Sequence, residues 1–238
     1  MPIASRRVPT TAPDASDWFL VSDSPLNLVP TSRARVVLLS GPSGSGKSSL
    51  AERTGLPVLQ LDDFYKDGDD PTLPQLAEGG TDWDSPLSWH QGEALAAIRL
   101  LAGSGRAEVP VYSIPANGRT GSHTLELAGA PAFIAEGIFA AELVAQCEAE
   151  GLLGEALCLR NRPLTTAWRR FRRDVREGRK SVLYLLRRGW RLMRAERGIV
   201  AGQVALGAYA CAGPEAERRV RALSAVPAEP AEPARVSA

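Results

Sequence analysis

Residues 41–48 read Gly-Pro-Ser-Gly-Ser-Gly-Lys-Ser, which satisfies G-x-x-x-x-G-K-[ST], and the pattern stands directly behind the apolar run Val36-Val37-Leu38-Leu39. A run of that kind ending in Ser-Gly-Pro predicts a strand over 34–39 that is buried on both faces. The residues after it predict a short helix from about Gly46 to Arg53, stopped at Thr54-Gly55. A glycine turn between a buried strand and a helix is a phosphate-binding loop in the making. Its backbone N–H groups converge on an anion, the helix dipole adds positive potential, and glycine permits positive φ and close approach. Gly41, Ser43, Gly44, Ser45, Gly46, Lys47, Ser48 and Ser49 form the candidate nucleotide-binding set. Within it Lys47 brings a point charge toward the β- and γ-oxygens and the Ser48 hydroxyl is suited to a magnesium ion. A glycine turn with no ligand is the structural alternative.

The rest of the chain agrees with this start. Pro57–Leu61, Phe133–Ala135 and Ala156–Leu159 predict further short buried strands, and 89–101, 140–149 and two pieces across 163–197 predict helices. Alternating strands and helices imply a parallel sheet with helices on both faces, an α/β three-layer fold of the P-loop NTPase kind. Residues 1–31 and 222–238 are rich in Pro, Ser, Thr and Ala and poor in large apolar side chains, so they are expected to be loose ends of one domain over 32–221.

Charge is distributed unevenly. The net formal charge is +1, but residues 160–197 hold fourteen Arg/Lys against three Asp/Glu, while the remainder holds fourteen against twenty-four. One segment is therefore built to meet anions. The three cysteines, Cys147, Cys158 and Cys211, lie far apart with no C-x-x-C pair, which argues against a zinc site or a disulfide framework and for buried thiols. No apolar run has the length that spans a bilayer and no apolar leader follows Arg6-Arg7, so the expected setting is cytoplasmic.

A phosphate loop does not choose a reaction. The chain has no N-K-x-D for guanine and no L-S-G-G-Q signature, which leaves small-molecule kinases leading. Asp62 and Asp63 leave the second predicted strand at the carboxyl edge of the sheet, where ligands of open α/β folds bind. Phosphoryl transfer to an alcohol needs positioning and a carboxylate to accept the hydroxyl proton. On its own the pair could equally be a solvated loop or a helix cap.

LDDFY at 61–65, DWDSP at 82–86, VPVYS at 109–113, IAEGIF at 134–139 and RRFRRDVREGRK at 169–180 follow the loop in order. In this succession the chain resembles the uridine kinase family, related to phosphoribulokinase and pantothenate kinase, over about residues 35–197. The resemblance implies an ATP- or GTP-dependent, magnesium-assisted transfer to the 5′-hydroxyl of uridine or cytidine, as in pyrimidine salvage. By the same resemblance Asp62 is the base and lies near magnesium, and Glu136 is a magnesium ligand with Ser48. Asp84 holds ribose hydroxyls, Tyr112 and Tyr65 border the sugar and base, and Asn117 contacts the base. Arg169 and Arg173 act from an Arg-rich helical lid over about 163–197, with Arg170 and Arg179 in support. A small-molecule nucleoside is then the partner; a dimer or tetramer is open, a membrane is not expected, and nucleic-acid binding by the arginines is the lesser reading.

Departures concern the acceptor. After Tyr112 the family commonly has an aromatic residue and a histidine, where this chain has Ile114 and Asn117. That keeps a second acceptor class in view, another small alcohol such as nicotinamide riboside, pantothenate or a sugar phosphate. A nucleotide-dependent binding protein without catalysis is the third reading. His90 and His123 are given no catalytic role.

Overall fold

A computed structural model describes residues 33–160 and 197–225. Five parallel strands form the central sheet, β1 (Arg35–Ser40), β2 (Val58–Gln60), β5 (Ala132–Glu136), β6 (Leu153–Leu159) and β7 (Tyr209–Cys211), in the order β2-β5-β1-β6-β7. Placing β1 between β5 and β6 buries it on both faces. Its alternate side chains then serve two cores. Val36 and Leu38 join Phe133 and Ala135 on one side, under α2 (Gln91–Ser104) and α3 (Val144–Ala149). Val37 and Leu39 join Ile134 and Leu157 on the other, under α1 (Lys47–Thr54) and α5 (Gly213–Ala225). A further helix, α4, occupies 197–205 and packs through Val200 near Cys158 and Ala208. The three-layer α/β arrangement expected from the sequence is present.

Boundaries shift where side-chain pattern and backbone pairing differ. The second strand ends at Gln60, and Leu61–Phe64 turns into a 3-10 helix that carries Asp62 and Asp63, so the two acids leave the strand on a tight turn instead of extended chain. Helix α5 runs to Ala225, beyond Ala222 where a loose tail was expected, because Ala216 and Val220 are buried against the sheet. The expected helix at 140–149 opens as a 3-10 turn over Ala140–Leu143 before α3.

An antiparallel hairpin of β3 (Arg106–Ser113) and β4 (Gly118–Glu126) stands apart from the main sheet and was not predicted. Only β3 carries buried apolar residues, Ala107 and Val109. Most of β4 is exposed, so it lacks the alternation that announces a half-buried strand. Strand β7 is only three residues long, and Tyr209 is exposed.

The loop after β1 fits tightly against its neighbour. Gly41 (φ 136°), Gly44 (φ 80°) and Gly46 (φ 95°) all adopt positive φ, and a Cβ on Gly41 would lie 2.6 Å from the Leu159 carbonyl oxygen at the end of β6. Gly41→Ala is therefore expected to lose about 1–3 kcal/mol in urea unfolding. Gly55→Ala, whose Cβ would meet nothing within 4 Å, should lose only the roughly 1–2 kcal/mol cost of its left-handed backbone.

Candidate functional site

The carboxyl ends of β1, β5 and β2 lie side by side, and the pairings Leu39↔Glu136 and Gln60↔Glu136 put Glu136 in the middle of that edge. Lys47 and Ser48 come from the first turn of α1 and Asp62 from the turn after β2. Four functional side chains thus converge from three separate parts of the chain. The Ser48 hydroxyl donates to Glu136 Oε1 at 2.8 Å, and the Lys47 ammonium donates to the Gly41 carbonyl oxygen at 3.1 Å, folded over the loop that it follows. Glu136 is 5% exposed, one of the few buried acids, and strand β5 around it is wholly buried.

Asp62 is exposed to solvent, yet protein crowds its carboxyl end. That confinement raises its pKa above the ordinary carboxylate value, with Lys47 pulling the other way, Glu136 adding to the rise, the nearby backbone N–H of Ile138 lowering it, and Asp63 adding last. The turn after β5 presses on it closely. A Cβ on Gly137 would fall 3.2 Å from Asp62 Oδ1 and 2.7 Å from the Leu61 Cβ, so glycine is the residue that lets this turn approach. Asp63 serves the framework instead. Its Oδ1 accepts from the Tyr112 backbone N–H at 2.9 Å, fastening the hairpin to the acid-bearing turn.

Above the acids lies a group of aromatic side chains. The Tyr65 ring is 5.8 Å from Trp83, 6.0 Å from Tyr112 and 5.9 Å from Phe139, and Phe139 stacks on Trp89 at 5.6 Å. The Tyr65 hydroxyl donates to the Trp83 carbonyl oxygen at 3.3 Å. Its pKa is raised, first by burial and then by the charges of Asp62 and Asp84, so it stays a protonated donor between two carboxylates. A cleft of about 630 Å³ runs past these groups, lined by Gly41, Pro42 and Ser43 of the loop, by Asp84 and Pro86, by Ile138 and Phe139, and by Gly202, Gln203 and Leu206 of the α4 region.

The sequence-derived set is gathered unequally. Gly41, Ser43 and Asp84 face one cleft, with Lys47, Ser48, Asp62 and Glu136 grouped at the sheet edge beside it and Tyr65 and Tyr112 in ring contact. Asn117 is elsewhere. It occupies the hairpin turn with φ 53°, a left-handed conformation that asparagine tolerates better than most residues, and a Cβ on Gly68 would overlap its amide. Asn117 does not line this cleft, and Ile114 beside it is 68% exposed. Arg169, Arg170, Arg173 and Arg179 lie outside the described residues. Phe139, Pro42 and Gln203 line the cleft without having been singled out; for Phe139 the signal was its place directly after Glu136-Gly137-Ile138.

A magnesium ion with a triphosphate suits the residues present. The Ser48 hydroxyl and Glu136 carboxylate supply paired hard oxygens, with the Asp62 carboxylate nearby. Among the described residues no cluster of three or more His, Cys, Asp or Glu forms a self-sufficient metal cage. That sparse set matches an ion that takes its remaining ligands from phosphate and water. The three cysteines are buried and unpaired, and burial raises the thiol pKa of each, Cys147 and Cys211 to about 11, so they stay protonated. Among the described residues no helix is long and apolar enough to cross a membrane.

Comparison with known proteins supports part of this picture. No protein-family model matches the chain. A uridine kinase of Schizosaccharomyces pombe (strain 972 / ATCC 24843) is 31% identical over 135 residues, which is 54% of this chain and 29% of that protein. Over this stretch the chain is homologous to a uridine kinase, and it spans less than a third of the relative's length. Among solved structures, a candidate fructose transport system kinase from Silicibacter sp. TM1040 aligns with a TM-score of 0.49 and 18% identity, covering 76% of this chain and 88% of that one. A candidate uridine kinase from Bacillus stearothermophilus aligns with a TM-score of 0.42 and 20% identity, over 57% and 76% of the two chains.

Two outcomes test the site's electrostatics and its fastening. The folded pKa of Asp62 exceeds its unfolded value, so the unfolded chain binds fewer protons between the two and stability falls as pH rises through that window. Asp62→Asn is accordingly expected to raise the melting temperature of the nucleotide-free protein at pH 7, slightly because the carboxyl also meets solvent, and the gain should vanish as pH falls toward 3.8. Asp63→Ala removes the acceptor for Tyr112 N–H, which should cost about 1 kcal/mol and speed hydrogen exchange at that amide relative to Asp63→Asn.

Proposed function

We propose that this protein transfers the terminal phosphoryl group of a nucleoside triphosphate to the hydroxyl of a small acceptor, with the 5′-hydroxyl of uridine or cytidine as the leading acceptor. The observation that carries this reading is the grouping of Lys47, Ser48, Glu136 and Asp62 at one sheet edge, beside a cleft that Asp84 shares with the phosphate loop. A site meant only to hold a nucleotide has no use for an elevated carboxylate beside the loop lysine. The 31% identity to a uridine kinase, over the part of the chain it covers, agrees with it.

Each residue then has a role that its surroundings suit. The loop amides and Lys47 hold the β- and γ-phosphates and offset charge that spreads onto the equatorial oxygens. Ser48, Glu136 and Asp62 would hold magnesium, which supplies charge neutralisation between the β- and γ-phosphates. As the acceptor oxygen bonds to the γ-phosphorus and the bridging oxygen leaves with the diphosphate, Asp62 takes the hydroxyl proton. The rise in its pKa suits that role, because a better base is a more willing proton acceptor. Asp84 accepts hydrogen bonds from a vicinal diol, and Tyr65 donates nearby while its ring and that of Tyr112 flank the acceptor. Arg169 and Arg173 are proposed to close over the triphosphate. The setting is proposed to be cytoplasmic.

A second acceptor class is favoured by one observation: Ile114 is turned out to solvent and Asn117 lies away from the cleft, so the hairpin turn offers no built contact for a pyrimidine. Another small alcohol, such as nicotinamide riboside, pantothenate or a sugar phosphate, would then be phosphorylated by the same machinery. A panel of nucleosides and these alcohols, with ATP and GTP compared as donors and products read by mass, separates the two. Uridine or cytidine monophosphate is the expected product. No phosphorylated product from any acceptor, in protein shown to bind ATP, would leave a binding protein as the reading. Asp62→Asn should keep ATP affinity while turnover drops at least about a hundredfold; retained turnover removes Asp62 as the base.

A further inference from the structure

Gln203 is a polar side chain in a place that ordinary packing does not call for. It is 7% exposed, on helix α4, among apolar neighbours of the sheet edge. Its Nε2 donates to the Ile138 carbonyl oxygen at 3.0 Å, and its Oε1 accepts from the Cys158 thiol at 3.0 Å. The chemistry fixes this orientation. A carbonyl oxygen can only accept, so the amide NH₂ must face Ile138, and Oε1 is left for a protonated thiol that can donate.

Both ends of the bridge rest on the site. Cys158 is the register partner of Ser40, the residue before the phosphate loop, while Ile138 follows Gly137, where the turn comes so near that a Cβ would fall 3.2 Å from Asp62 Oδ1. A buried primary amide must have its donors and acceptor satisfied, so an apolar residue would be the simpler choice for merely packing α4. We infer that Gln203 is a positioning residue: by tying the Ile138 carbonyl to the end of β6, it holds the Gly137-Ile138 turn against Asp62 and so fixes where that side chain stands in the site. The inference rests on Asp62 acting as the base.

The test uses the full chain with ATP and uridine, or whichever acceptor the panel identifies. Gln203→Met keeps length and loses the donor. The expected result is a kcat about tenfold lower with both KM values within about twofold, together with a shifted Ile138 amide resonance. In an Asp62→Asn background the same change should alter kcat less than about twofold, since the two residues act as one unit. Equal loss in both backgrounds, or unchanged kcat in a protein whose Asp62→Asn variant has collapsed, overturns the inference and leaves the kinase reading standing. If Asp62→Asn keeps full turnover, the base reading fails instead, and the Asp62 carboxyl resonance of Gln203→Met decides: moved, it sustains the coupling; unmoved, it ends it. Should Gln203→Met not fold, Cys158→Ala frees the other end of the bridge and is expected to lower kcat about threefold, with Cys158→Ser restoring it through its hydroxyl. Equal activity of the Ala and Ser variants overturns the inference.

Discussion

The contact between the glycine turn after β1 and the carbonyl end of β6 is the constraint on which the rest of the site depends. With no Cβ at Gly41 the loop passes the Leu159 carbonyl at a distance that any other residue would violate, and its positive φ turns the chain back toward α1. Had the loop been forced away, Lys47 and Ser48 would start their helix elsewhere and the Ser48 hydroxyl could not reach Glu136. One missing methyl group therefore sets the position of a cation and a hydroxyl relative to an acid almost ninety residues further along the chain.

The second constraint is electrostatic. Two carboxylates, Asp62 and Glu136, and the ammonium of Lys47 share one sheet edge, where Lys47 lowers the pKa of Asp62 and Glu136 raises it. Confinement outweighs the lysine at Asp62, which leaves a carboxylate more basic than it would be in water. The protein accepts a small loss of stability there, the usual exchange at a site where charge is held in readiness for another molecule. The turn after β5 is pressed against this carboxylate, and the Gln203 side-chain amide donates to the Ile138 carbonyl oxygen of that turn.

The acceptor side is assembled differently. The hairpin of β3 and β4 is tied down by the Asp63 carboxylate at Tyr112 and by the aromatic contacts of Tyr65, while Ile114 in its turn is exposed and Asn117 does not line the cleft. Rigid strands thus carry the loop and the acids, and a less buried appendage carries Tyr112. Loops and appendages of this kind are where related folds change specificity with little effect on the reaction itself.

From the sequence alone came the parallel sheet, the phosphate loop and the identity of the acids, because buried parallel strands are continuous apolar runs and the loop needs glycines at fixed intervals. Asp62 and Glu136 were legible since each stands at the carboxyl end of a short apolar run. Hidden from the sequence were the hairpin, whose outer strand is exposed and has no apolar alternation, and the separate surroundings of neighbouring Asp62 and Asp63, which a 3-10 turn sets by placing one beside Gly137 and the other at Tyr112. Gln203 was equally silent: a glutamine on a helix is ordinary until folding encloses it between Cys158 and Ile138. Local pattern determines which elements form, because it depends on neighbours in the chain. What each side chain touches depends on residues far away in sequence, and only the tertiary structure decides that.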